Sequence, residues 1–171
     1  MKLAIIGSSG SGKTTLAYAI SQKTNIPVYS LDEICFTSMP NHRKIKEISK
    51  VEREQKLKAI LKKDQWIIEG AYYGAWTHDC YTNADVTFCL ACNKYKRAFR
   101  ILSRYIKRTF GFYDGEHETL KHMLRVIMFN HKIDFIYQDF IREVESMSKK
   151  FVIIKDFNDA QQIFKSRDDI S

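Results

Sequence analysis

Residues 7–15 read GSSGSGKTT and follow directly on the apolar run at residues 3–6. They match the pattern G-x-x-x-x-G-K-[ST] in full, with a strand expected before the loop and a helix after it. Glycines let the backbone wrap around phosphates with its N–H groups pointing inward, and the helix dipole adds to the attraction for anions. The pattern predicts a nucleoside-triphosphate site, and the residues expected to hold ATP are Gly7, Ser8, Ser9, Gly10, Ser11, Gly12, Lys13, Thr14 and Thr15.

Two side chains of this loop are expected to take part in chemistry as well as binding. Lys13 occupies the position that reaches the β- and γ-phosphates, and the hydroxyl of Thr14 suits Mg²⁺. We therefore predict ATP and Mg²⁺ as ligands, with Lys13 as a catalytic residue.

Two carboxylates follow further strand-like runs. Asp32 comes after a short run at residues 27–31, where it is placed to accept a proton from a substrate hydroxyl or to orient that hydroxyl for attack. The alternative for Asp32 is a helix cap or an exposed loop residue. Glu69 ends the run WII at residues 66–68 and is placed either to hold Mg²⁺ through water or to act as base instead of Asp32.

A basic stripe follows a fourth strand-like run. Arg97, Arg100, Arg104 and the pair at residues 107–108 recur at spacings of three and four, which places them on one face of a helix. Arginines at the start of such a helix can neutralise the charge that develops on a transferring phosphoryl group, and Arg100 and Arg104 are the predicted pair. The packing face is expected to hold Ala98, Phe99, Leu102, Tyr105 and Ile106.

Three aromatic residues directly follow Glu69-Gly70. Tyr72, Tyr73 and Trp76 are placed to form a wall for a flat substrate, or equally to pack in the ordinary way.

A GTPase of the Ras type is excluded by two missing patterns. The stretch at residues 93–96 reads NKYK, so the carboxylate that ends N-K-x-D is absent, and no D-x-x-G occurs in the chain. A small phosphotransferase remains.

These residues need a particular scaffold to meet. Short continuous apolar runs are predicted as strands at residues 2–6, 27–31, 66–68, 86–90 and 151–154. Amphipathic or charged stretches between them are predicted as helices at residues 13–23, 45–63, 94–109, 116–147 (one helix or a pair) and 160–165. In the 45–63 helix the side chains expected to face inward are Ile48, Val51, Leu57, Ile60 and Leu61. Alternating strands and helices predict an α/β fold with a parallel sheet covered on both faces, which collects its ligands at the carboxyl ends of the strands.

The totals fit one domain of this kind. A chain of 171 residues with 44% hydrophobic residues predicts a single globular domain at residues 1–171. No secretory leader or membrane span is recognised, which predicts a cytoplasmic location and no membrane partner. The four cysteines are expected to be reduced and mostly buried. The net charge of +8 permits nucleic acid or phosphorylated small molecules as partners, and the oligomeric state is left open.

Four segments in order resemble one known group. They are AIIGSSGSGKTTLA at 4–17, IPVYSLDEICF at 26–36, WIIEGAYYGAW at 66–76 and ADVTFCL at 84–90. The chain resembles the bacterial DNA topology modulation proteins (FlaR-related), which are similar to adenylate and shikimate kinases. The resemblance implies a three-layer P-loop NTPase fold like that of the nucleoside-monophosphate kinases, with the five strands in the order 2-3-1-4-5.

The resemblance also implies positions within the site. By analogy with adenylate kinases, Glu69 takes the place of an aspartate at the end of the third strand, and Arg100 and Arg104 take the places of two phosphate-binding arginines. Residues 108–120 correspond to a short lid. The chain departs from the pattern at Ala71, where Asn is usual, and near residues 30–45, where only Arg43 is placed to hold a nucleotide phosphate.

Two functions follow. The favoured one is an ATP- and Mg²⁺-dependent kinase of a small-molecule acceptor, such as a nucleotide, a nucleoside or another metabolite. The alternative is a nucleic-acid-binding regulator, in the sense of DNA topology modulation, whose phosphate loop acts as a switch.

Overall fold

A computed structural model describes residues 1–38, 45–72, 74–110, 119–132, 134–155, 158–160 and 162. Its strands are β1 Lys2–Ile6, β2 Val28–Ser30, β3 Phe36–Ser38, β4 Ile45–Glu47, β5 Trp66–Glu69, β6 Val86–Leu90 and β7 Phe151–Ile154. Its helices are α1 Lys13–Thr24, α2 Leu31–Cys35, α3 Lys50–Leu61, α4 His78–Asn83, α5 Lys94–Thr109, α6 Leu120–Lys132 and α7 Asp134–Met147, with a 3₁₀ turn at Ala75–Thr77.

Five strands form one parallel sheet in the order β2-β5-β1-β6-β7. β1 lies at its centre, and Leu3 is in register with Ile67 on one side and Val86 on the other. The order predicted for the five strand-like runs, 2-3-1-4-5, is confirmed. All of β5 and β6 is buried, which explains why these strands are continuous apolar runs.

The sheet is covered on both faces, so the fold has three layers. Successive residues of β1 point to opposite faces: Ala4 and Ile6 join a cluster with α2, α3, α4 and α7, while Leu3 and Ile5 join one with α1. Burial of each leucine or isoleucine side chain contributes about 1.5–3 kcal/mol, so both clusters stabilise the sheet beneath the loops at its carboxyl edge.

The predicted helix at residues 45–63 is wrong over its first turn. Residues 45–47 form β4, which pairs antiparallel with β3, and the helix begins only at Lys50. Ser49 caps it by accepting a hydrogen bond from the N–H of Glu52 at 3.2 Å, and the N–H of Ile48 donates to the carbonyl of Cys35. Val51, expected to face inward, lies in the first turn of α3 and is 66% exposed.

The bounds of α5 agree with the prediction, but its packing face does not. Phe99, Leu102 and Ile106 are exposed, whereas Arg97 and Ile101 are the buried residues of this helix. The reason is that α5 packs with its arginine face against the phosphate loop: a Cβ added at Gly10 would lie 2.8 Å from the carbonyl oxygen of Arg97.

The remaining helical predictions fall partly on described residues. The stretch at 116–147 contains two helices, α6 and α7, and residues 160 and 162 of the closing helix are helical. Most of the lid segment, 111–118, and Arg43 lie outside the described residues. Within the described part of the chain, no helix has the length and apolar character needed to cross a membrane.

Candidate site at the phosphate loop

The loop at residues 7–12 joins the buried strand β1 to α1 and is held by its own backbone. The N–H of Ser11 donates to the carbonyl of Ser8 at 3.1 Å, and Gly10 (φ +76°) and Gly12 (φ +104°) have left-handed backbones that favour glycine. Gly12 precedes α1 and provides no side-chain cap, so the first-turn N–H groups of α1 are left to bind an anion. This cradle fits phosphates.

Lys13 lies at the mouth of this cradle. Its Nζ donates to the carbonyl oxygen of Ser8 at 3.2 Å. Burial lowers the pKa of Lys13, the carboxylates of Glu69 and Asp32 oppose that shift, and Arg104 adds to the lowering. These influences place four of the five predicted catalytic groups in one electrostatic neighbourhood: Lys13, Asp32, Glu69 and Arg104.

Glu69 lies directly beside the start of α1. The hydroxyl of Thr14 donates to Glu69 Oε1 at 3.1 Å, and only 4% of Glu69 is exposed. Burial raises the pKa of Glu69, while Lys13 and the hydroxyls of Ser30 and Thr14 oppose the increase. A hydroxyl and a carboxylate oxygen are ligands that Mg²⁺ prefers when phosphate oxygens and water complete its shell, so Thr14 and Glu69 fit a magnesium ion.

Asp32 lies one strand away from Glu69, in the first turn of α2. Ser30 caps this helix by accepting a hydrogen bond from the N–H of Asp32 at 3.3 Å. The carboxylate of Asp32 is therefore not the cap of this helix, and the residue is exposed. The hydroxyl of Tyr72 donates to Asp32 Oδ1 at 2.9 Å. Burial raises the pKa of Tyr72 and the Asp32 carboxylate raises it further, so Tyr72 keeps its proton and acts as a donor.

Two of the three aromatic residues expected near the site are described. The rings of Tyr72 and Trp76 meet edge to face, with centroids 5.8 Å apart and an interplanar angle of 71°. Tyr73 lies outside the described residues. Tyr72 therefore has a polar role, through Asp32, that the pattern did not predict.

The arginine face of α5 lies against the loop. Arg100 Nη1 donates to the carbonyl of Ser11 at 2.6 Å, and Arg97 Nη1 donates to the carbonyl of Cys92, two residues after β6, at 3.0 Å. Charge-assisted hydrogen bonds of this kind fix α5 to the phosphate loop. Arg100 is thus brought to the loop and Arg104 to the neighbourhood of Lys13, while their part in transfer stays a prediction.

Arg53 is the functional candidate that the sequence analysis missed. It lies in the first turns of α3, its guanidinium carbon is 4.7 Å from the centroid of the Trp76 ring, and it influences Cys35 beside Tyr72. The sequence SKVE at 49–52 has the form S-x-x-E of a capped helix start, and that signal locates the beginning of α3. It does not indicate that Arg53 lies over Trp76 and beside Cys35, because those contacts are tertiary features.

Comparisons with known proteins agree with the fold. The model of the ATPase family associated with various cellular activities (AAA) matches residues 3–69, the stretch from β1 to Glu69. No curated protein matches the chain.

Solved structures with a similar fold include several kinases. A shikimate kinase from Acinetobacter baumannii in complex with shikimate has a TM-score of 0.62 and 14% identity, over 96% of this chain and 90% of that one. A deoxyadenosine kinase from M. mycoides with dCMP and dCDP bound has a TM-score of 0.55 and 15% identity, over 100% of both chains. A shikimate kinase from Aquifex aeolicus has a TM-score of 0.51 and 18% identity, over 98% of this chain and 96% of that one. The fold is that of a P-loop NTPase with kinase-like neighbours. The resemblance to DNA topology modulation proteins stays a prediction.

Proposed function

We propose that this chain is an ATP-dependent phosphotransferase that transfers the γ-phosphoryl group to a small-molecule acceptor. One arrangement carries the proposal: the Thr14 hydroxyl of the phosphate loop donates to Glu69 at 3.1 Å, and Asp32, Glu69 and Arg104 all act electrostatically on Lys13 of the same loop. A carboxylate pair, an arginine and a phosphate-loop lysine within one neighbourhood are the parts that phosphoryl transfer requires.

The donor half of the proposed site is the loop itself. Backbone N–H groups at residues 8–15 bind the phosphates of ATP, and Lys13 binds the β- and γ-phosphates. Thr14 and Glu69 hold Mg²⁺, which when bound neutralises charge on the phosphate oxygens. Glu69 is itself shielded from bulk water, with 4% of the residue exposed.

The transfer half is formed by Asp32 and the arginines. An acceptor oxygen forms a bond to the γ-phosphorus while the bond from that phosphorus to the β,γ-bridging oxygen breaks, and ADP leaves with the electron pair. Asp32 takes the proton of the acceptor hydroxyl, and Tyr72 fixes the carboxylate through its hydrogen bond to Oδ1. Arg100 and Arg104 stabilise the charge that develops on the phosphoryl group.

The fold neighbours supply the first acceptors to try. One of those kinases has dCMP and dCDP bound, and another is in complex with shikimate. We therefore include 2′-deoxynucleosides, their 5′-monophosphates, shikimate and its methyl ester in a mass-spectrometric screen with ATP and Mg²⁺.

The screen has matched controls. Lys13→Ala is expected to abolish triphosphate binding, whereas Asp32→Asn is expected to keep ATP binding and lose transfer by at least 100-fold. A transfer rate for Asp32→Asn equal to that of the wild type would show that Asp32 is not the base.

The alternative, a nucleic-acid-binding regulator, draws its support from the net charge of +8 and from the exposed lysines of α5, Lys94, Lys96 and Lys107. The arginines of the same helix favour the kinase, because Arg97 and Arg100 donate hydrogen bonds within the chain. A salt titration separates the two functions: backbone clamping of DNA gives a steep linear fall of log affinity with log salt. Duplex binding at physiological salt with such a slope would favour the regulator.

A further inference from the structure

Arg53 sits in an unusual environment for a cation. Its side chain is only 16% exposed, and its guanidinium stacks over the ring of Trp76 at 4.7 Å. Its acidic neighbour is Glu47 on β4, with Oε1 3.9 Å from Arg53 Nη1. That separation exceeds a hydrogen bond, and the Glu47 side chain is 71% exposed, so the pair contributes little.

The guanidinium is therefore incompletely satisfied. Arg53 Nε is buried, and its N–H donates to no acceptor among the residues that the structure describes. An arginine has five N–H donors in a planar fork that matches a carboxylate or a phosphate. A buried cation with an unpaired donor is costly unless an anion binds it, which is why this position indicates a ligand.

The orientation of Arg53 relates it to the transfer site. The Cys35 thiol lies beside both the Arg53 guanidinium and the Tyr72 hydroxyl, and burial of this thiol raises its pKa, so it is neutral and no competing anion for Arg53. Tyr72 in turn donates to Asp32. A continuous row of side chains thus leads from the guanidinium to the carboxylate of the proposed base.

We propose that Arg53 binds an anionic group of the acceptor, a carboxylate or a phosphate monoester, while the oxygen that receives the phosphoryl group lies at Asp32. This inference rests on the proposed function and names its substrate class: an acidic small molecule with a second, nucleophilic oxygen. Trp76 keeps the guanidinium in place and supplies a flat apolar floor beside it.

Trp76 also provides the measurement. The chain has two tryptophans, and Trp66 is fully buried, so ligand-dependent fluorescence reports on Trp76. Titrations are run on the full chain with a non-hydrolysable ATP analogue saturating the phosphate loop, which keeps added phosphates out of it. The probes are two pairs: 2′-deoxycytidine 5′-monophosphate with 2′-deoxycytidine, and shikimate with its methyl ester. The first pair tests a phosphate and the second a carboxylate.

The wild type is expected to bind the anionic member of one pair at least tenfold more tightly than the neutral member. Arg53→Gln keeps the length and a donor but removes the charge, and it is expected to abolish this preference by weakening the anionic member about 10- to 100-fold. Arg53→Lys is expected to retain part of the preference. Arg142→Gln, on α7 and 77% exposed, is the matched control and is expected to change neither member.

Glu47→Gln guards against a folding artefact, because it leaves Arg53 in place and removes the nearby carboxylate. It is expected to tighten the anionic member two- to fivefold. Equal weakening of both members by Arg53→Gln, or no preference for either anion in the wild type, would overturn the inference. Arg53-dependent anion binding with no transfer in the screen would instead refute the proposed function and leave the anion site standing.

Discussion

Gly10→Ala tests the contact between the phosphate loop and α5. Gly10 has φ +76°, and an added Cβ would lie 2.8 Å from the carbonyl oxygen of Arg97 and 3.0 Å from Cγ1 of Ile101. One of these atoms is backbone and the other belongs to a fully buried side chain, so neither moves easily. Left-handed strain on an alanine costs about 1–2 kcal/mol, and overpacking adds about 1–3 kcal/mol.

The expected loss is therefore about 2–5 kcal/mol in the free energy of unfolding, which for a chain of this size lowers Tm by roughly 4–20 °C. ATP is expected to lose its stabilising effect, which for the wild type is about 2.7 kcal/mol at a concentration 100 times Kd. Urea denaturation at 25 °C with and without ATP measures both quantities.

Gly74→Ala is the control for strain without a clash. Gly74 also has a positive φ, +134°, but its nearest neighbour to an added Cβ is a Trp76 ring atom at 3.5 Å, an ordinary contact. It is expected to cost about 1–3 kcal/mol and to leave ATP stabilisation intact. If Gly10→Ala bound ATP as well as Gly74→Ala does, α5 would not be packed against the loop as described.

Three further perturbations probe the site. Glu69→Gln keeps a hydrogen-bond partner for Thr14 but removes the charge. It is expected to leave ATP affinity without metal within about twofold of the wild type and to reduce the gain in ATP affinity caused by Mg²⁺ at least tenfold. Calorimetry with and without Mg²⁺ measures both affinities, and an unchanged Mg²⁺ effect would show that Glu69 is not a metal ligand. Of the four thiols, only the half-exposed Cys92 is expected to react rapidly with a disulfide reagent. Burial raises the pKa of the other three thiols: Cys80 to about 12, Cys89 to about 11, and Cys35 above its ordinary value. A second rapidly reacting thiol would contradict the described packing. Tyr72→Phe removes the hydrogen bond that orients the Asp32 carboxylate and is expected to lower kcat about 3- to 30-fold in the acceptor assay. Tyr29→Phe is the control, because it removes an equally exposed hydroxyl contact, the one to Lys63, and is expected to leave kcat unchanged.

The sheet was accessible to sequence reasoning because its signals are local. β1 and β6 are largely apolar runs whose bounds agree with the prediction, and both are buried on two faces, an environment that favours such runs. The phosphate loop is also local: glycine at residues 10 and 12 is required by the backbone angles themselves.

The features that escaped prediction depend on distant contacts. The β3–β4 hairpin is short and carries charged residues, so its pattern resembles the start of a charged helix. The buried face of α5 was misassigned because Arg97 is buried through its contact with Cys92 and the loop, while Phe99 is 71% exposed. Hydrophobic periodicity alone predicts the reverse, with Phe99 buried and Arg97 exposed.

The central position of β1 also determines when the loop can take shape during synthesis. β1 leaves the ribosome first, but its two partners are β5 and β6, and the backbone of Gly7 packs against Leu90. Chains grow at about 5–20 residues per second, so β1 waits on the order of ten seconds for both neighbours. During that interval the N–H and C=O groups along both of its edges are unpaired, which leaves this apolar strand open to pairing with other chains.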